Sequence, residues 1–138
     1  MKKIAVFCFT LLLAACGGGG SSAASTPTTQ QPPATSAGAI VLSNANINIS
    51  GLAGDYLIQA ASGVNVTVSG DSNTVDFSAN QAASGVNVTS AANTLIFRPG
   101  ASVTNLSVSG TANTFWIQSG SGISFATPPP NSTSVHTY

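Results

Sequence analysis

The dipeptide Asn-Thr recurs at Asn73-Thr74, Asn93-Thr94 and Asn113-Thr114, 20 residues apart each time, and the pattern around it recurs as well. The copies are VTVSGDSNTVDF from Val66, VNVTSAANTLIF from Val86 and LSVSGTANTFWI from Leu106. A weaker copy, INISGLAGDYLI, begins 19 residues before the first of these, at Ile47. A fixed period of this size makes each unit one structural turn that buries its apolar side chains only by stacking on its neighbours.

Each unit opens with apolar alternation (Ile47/Ile49, Val66/Val68, Val86/Val88, Leu106/Val108), which marks a strand with one face inward. A turn rich in Gly, Ser, Ala and Asn follows. A second short strand then carries Tyr56/Ile58, Val75/Phe77, Leu95/Phe97 and Phe115/Ile117 at alternate sites. No 3.6-residue period is present, and β-branched residues dominate. The pattern predicts an all-β chain, a small parallel β-solenoid of about four 20-residue rungs over residues 40–126, with equivalent strands about 4.8 Å apart. An antiparallel β-sandwich built from the same strands is the alternative, although it gives no reason for the constant spacing.

Asn73, Asn93 and Asn113 are expected to form a structural corner ladder. Asn tolerates the left-handed backbone of a tight corner, and stacked amides can bond from rung to rung. The pattern V-x-V-x-G-x-x-N-T-V, over residues 47 to about 120, resembles the repeats of short exported bacterial proteins that carry an uncharacterised β-helix domain. It also broadly resembles the right-handed β-helices of polysaccharide-handling enzymes. The resemblance implies the fold and is silent on activity, because the matching residues are structural.

The chain begins MKKIAVFCFTLLLAAC: a short basic region at Lys2 and Lys3, then an apolar stretch of ten residues, 4–13. That run is half the roughly 20 residues a membrane-spanning helix requires, so it is expected to be an export signal. Its end, Leu13-Ala14-Ala15-Cys16, resembles the lipobox of bacterial lipoproteins. The resemblance implies a signal peptide at residues 1–15, cut before Cys16. The Cys16 thiol would carry a diacylglyceryl group, and its amino group a further acyl chain such as palmitate. Gly17 in place of an Asp implies the outer membrane of a bacterial cell envelope. Cys8 lies in the removed segment, so no disulfide is expected. Residues 16–39 contain no charge and nothing apolar larger than Ala after Cys16, and are expected to be a flexible linker. Residues 127–138, with three prolines at 128–130, are expected to be a disordered Pro-rich tail in which His136 is solvated filler.

Charged residues make up 4% of the sequence, against roughly 25% in an average soluble domain. Without Lys2 and Lys3, Arg98 stands alone against Asp55, Asp71 and Asp76. No basic patch exists to neutralise phosphates, which excludes nucleic acid as a partner. Phase-matching places Asp55 with Thr74, Asp71 with Ala91 and Asp76 with Ile96, so the three carboxylates should not converge on a glycosidic bond. No catalytic, cofactor-binding or metal site is expected. The reading is a non-enzymatic envelope lipoprotein, a membrane-tethered β-solenoid acting as a structural or binding module. A fibre-forming or self-associating surface subunit is the first alternative, and a polysaccharide-active β-helix enzyme the second.

One column bears on partners. With Val75/Phe77, Leu95/Phe97 and Phe115/Ile117 inward, Leu57, Asp76, Ile96 and Trp116 must point outward from successive rungs. Arg98 can reach diagonally to Asp76. An exposed apolar column marks a contact face for a protein, a glycan or a second copy, with Trp116 as its anchor. The competing expectation is that linker or tail folds over it.

Overall fold

The computed structural model describes residues 30–138. Residues 1–29, with the expected signal peptide and the expected lipidation site at Cys16, lie outside that range. Eleven strands follow one another: β1 (Ile40–Leu42), β2 (Asn46–Ile49), β3 (Asp55–Ile58), β4 (Val64–Val68), β5 (Thr74–Phe77), β6 (Ala82–Val88), β7 (Thr94–Phe97), β8 (Ser102–Val103), β9 (Leu106–Val108), β10 (Thr114–Ile117) and β11 (Ser134–Thr137). They distribute into two sheets. The first runs β1-β3-β5-β7-β10-β11; the second runs β2-β4-β6, with β8 and β9 both pairing β6. Every pairing is parallel. The fold is therefore a β-solenoid of stacked turns, and the sandwich alternative is excluded.

The sequence period is the structural register. Asp55 pairs Thr74, Thr74 pairs Thr94 and Thr94 pairs Thr114, so the 19-residue first step and the 20-residue later ones are both rung heights. In the second sheet the change from 19 to 20 falls at a bulge. Val64 pairs Ala83, but Asn65 pairs Gly85, leaving Ser84 as the extra residue.

Two segments depart from expectation. Residues 134–137, assigned from sequence to a loose tail, form β11, in register with β10 from Thr114↔Ser134 to Ile117↔Thr137. The three prolines precede the strand and leave its own N–H groups free to pair: Ser134 N donates to Asn113 O at 2.8 Å. Ser132 Oγ likewise accepts the Ala112 N–H at 3.0 Å. At the other end, residues 30–36, expected to belong to a linker over 16–39, lie against the first sheet.

The inward columns stack as the alternation requires. Val75, Leu95 and Phe115 form one, and Ile58, Phe77, Phe97 and Ile117 another, all buried. Phe77 and Phe97 stack with ring centroids 4.6 Å apart, while Phe125 meets Phe115 edge-on at 5.2 Å and closes the last turn of the core. Gly110 is required where successive corners touch: a Cβ there would lie 1.7 Å from Ser90 O.

Candidate functional site

The Asn ladder exists, with different bonding. Asn73 Oδ1 accepts the Gly54 N–H at 2.9 Å, Asn93 Oδ1 the Asn73 N–H at 2.8 Å, and Asn113 Oδ1 the Asn93 N–H at 2.9 Å. Each amide nitrogen donates to a corner carbonyl: Asn73 to Gly51 O, Asn93 to Ala91 O, Asn113 to Ser90 O. The links thus run from side chain to backbone, not amide to amide. The left-handed residues are also not these asparagines but the ones before them: Ser72, Ala92 and Ala112, with Ala53 at the related first-rung position, at φ between 52° and 61°. The reason is geometric. A small residue turns the chain, which frees the Asn side chain to point inward and satisfy buried backbone. Asn does take the left-handed form at Asn80, with Gly100 and Gly120 at the same phase of the next rungs.

The outward column Leu57, Asp76, Ile96 and Trp116 is in register as expected. It is not exposed. Ile96 and Asp76 are buried at 0% and 2% exposure, Trp116 is also buried, and Leu57 is half-buried. The expectation of an open contact face there is corrected, because the chain covers it from both ends. His136 of β11 extends the column and stacks on Trp116, with centroids 4.4 Å apart and ring planes at 18°. Residues 30–36 run down the column as a strap. Gln30 Oε1 lies 2.9 Å from His136 Nδ1, Pro33 O accepts from Arg98 Nη2 at 2.6 Å, and the Thr35 hydroxyl donates to Asp76 Oδ2.

Arg98 and Asp76 make the diagonal pair expected between adjacent rungs, but as an interior pair and not a surface one. Asp76 is sealed, and the Arg98 side chain is 19% exposed. The hydrogen bonds to Asp76 raise the guanidinium pKa further, against the opposing effect of its own burial. Nearby, Tyr138 donates its phenol hydrogen to Phe97 O at 2.7 Å, and burial raises its pKa. The other two carboxylates lie apart. Asp55 is exposed opposite Thr74, and Asp71 is exposed, its Oδ1 accepting the Ala91 N–H at 2.7 Å.

The outer face of the second sheet was missed in the sequence, although its signal was present in the polar partners of the alternation. Asn65, Gly85 and Asn105 form one outward column, Thr67, Asn87 and Ser107 the next, and together they line an open cleft of about 370 Å³. No protein-family model, no curated protein and no solved structure matches this chain.

Proposed function

We propose that the chain is a lipid-anchored, non-enzymatic protein of the bacterial envelope, whose solenoid is held off the membrane and makes its contacts through the open face of the second sheet. The observation that carries this reading is the employment of the reactive side chains. Asp76 and Arg98 neutralise each other under the strap, and His136 and Trp116 stack on each other. These residues serve the fold, which leaves an uncharged face as the surface available for contact.

The lipobox supports the anchor. Two or more acyl chains, at about 0.8 kcal/mol per buried CH₂, hold a protein on a bilayer almost permanently. The strap supports an orientation. The described chain enters the fold at Gln30, beside His136. The β11 end of the solenoid is then the end nearer the membrane, with β1 distal.

Cys16→Ser tests the anchor. The variant should take up no labelled palmitate and should leave the membrane fraction or accumulate uncut. Normal size with unchanged membrane fractionation refutes it.

A second reading, self-association, has its own observation. The terminal strands of the first sheet carry exposed apolar residues, Ile40 and Val41 on β1 and Val135 on β11. Parallel edges at both ends of a solenoid are templates for end-to-end pairing. A sedimentation profile that stays monomeric as concentration rises excludes it.

A further inference from the structure

The cleft lies on the outer face of the second sheet. Its floor is Gly85, placed there by the β4–β6 bulge, and its walls are Asn65 and Asn105 on the rungs either side. The neighbouring column adds Thr67, Asn87 and Ser107. Among the described residues, the one hydrogen bond made by these side chains is from Asn65 Nδ2 to Asn46 Oδ1, and at 3.4 Å it is long. The amides of Asn87 and Asn105 and the hydroxyls of Thr67 and Ser107 therefore face solvent uncommitted, on a sheet that holds them rigidly at rung spacing.

What such a cleft can recognise follows from what its side chains are. None is charged, which argues against phosphate, carboxylate or cationic partners, since each needs an opposite charge to offset desolvation. Val66 and Val86 complete the lining but bury their side chains in the core, so the cleft offers no aromatic or aliphatic anchor of the kind from which protein–protein contacts draw their affinity. All five polar side chains donate and accept at once, the property needed to match hydroxyl groups that also do both. The volume falls within the range of small-molecule sites, enough for a short stretch of a sugar chain.

The geometry points to a neutral glycan as the occupant of this cleft, with Asn65, Asn87 and Asn105 as its principal hydrogen-bonding partners. The inference rests on the reading of the second sheet as the contact face and names its partner class. It does not depend on the lipid anchor.

Gly85 provides the test. Its φ is not in the left-handed region, and an added Cβ would come within 3.1 Å of Asn65 Oδ1 alone, the tip of a surface side chain. Gly85→Val should thus fill the cleft and keep the strand, for which Val is well suited. The detergent-solubilised full chain is run by affinity electrophoresis in gels containing hydroxyethylcellulose, dextran or galactomannan, with polygalacturonate as the anionic comparison. The wild type should be retarded by at least one neutral polymer. Gly85→Val should bind it about tenfold more weakly, with an unchanged thermal midpoint, and Asn87→Ala with Asn105→Ala should act in the same direction. Retardation only by polygalacturonate, or equal retardation of wild type and Gly85→Val, overturns the inference. So does free migration in every neutral gel by a protein that still requires Cys16 for its membrane fractionation; that result removes the glycan and leaves the tethered module standing.

Discussion

Arg98 grips Asp76 of the neighbouring rung with two nitrogens, Nε 2.9 Å from Oδ1 and Nη2 2.6 Å from Oδ2, beneath a strap that both residues also hold. Among the described residues, the pair is the one place where charge is buried in the outer layer of the first sheet; Asp55, on the same face, is exposed. The neighbouring rungs solve the same positions without charge, with Leu57, Ile96 and Trp116 in the Asp76 column and Gln118 in that of Arg98.

That contrast makes a prediction by double-mutant cycle. Arg98→Gln alone leaves a sealed carboxylate without its cation and should cost about 3 to 5 kcal/mol in urea denaturation. Asp76→Leu with Arg98→Gln copies the residue types of adjacent rungs and should return to within about 1 kcal/mol of wild type. A double variant as unstable as the single one would show that the strap, and not the pair, is the sensitive part.

The ladder gives a second prediction, with a gain as well as a loss. Asn93→Leu orphans the buried Asn73 N–H and should cost roughly 1 to 3 kcal/mol. On the last rung the Asn phase is occupied by Thr133, whose buried Oγ1 has no partner among the described residues. Its side chain is shorter than that of Asn and leaves the Asn113 N–H without the link that the lower rungs have. Thr133→Asn should extend the ladder and raise stability by about 1 kcal/mol, read as a higher urea midpoint.

The third concerns backbone strain. Ala92 sits at φ 58°, in a region that disfavours any residue with a Cβ. Ala92→Gly should stabilise by up to about 1 kcal/mol, the relief being partly offset by the freedom glycine gains in the unfolded chain. A lower thermal midpoint would place the strain elsewhere.

Ile96→Ser with Trp116→Ser separates a contact face from a covered one. Ile96 is fully buried, and Trp116 is stacked under His136. The double change should cost several kcal/mol, of order 3 to 5, because large buried side chains are lost to polar ones. Near-wild-type stability would restore the exposed column as a binding face.

Periodicity put that column on the outer side of the sheet but left open whether it is exposed or covered. Register, rung height, inward columns and the reach of Arg98 to Asp76 all followed from residue spacing, because a parallel ladder repeats whatever each rung does. The strap did not, since residues 30–36 have no period and almost no apolar content. They are held by Arg98, Asp76 and His136, side chains 41 to 106 residues away in sequence. β11 carried a weak signal: Val135 and Thr137 occupy the phases of Phe115 and Ile117. The triple proline masked it, although prolines that precede a strand leave its hydrogen bonds intact. The cleft has no apolar signature, because the amides and hydroxyls that line it lie in the polar half of the alternation.

Tyr138 supplies the last prediction, one in pH. Its phenol donates to Phe97 O, and its burial outweighs the pull of the Arg98 charge, so the folded-state pKa lies above the unfolded value of about 10. Folding therefore favours the neutral phenol. The stabilisation is complete below about pH 10, and it is lost as pH rises through the unfolded value towards the higher folded one. A urea midpoint that is flat from pH 8 to about 9.5 and falls above pH 10 is expected. Tyr138→Phe should lower the whole curve by about 0.5 to 1.5 kcal/mol for the missing hydrogen bond and should flatten the alkaline fall. A variant that keeps the full alkaline fall would show that Tyr138 is not its source.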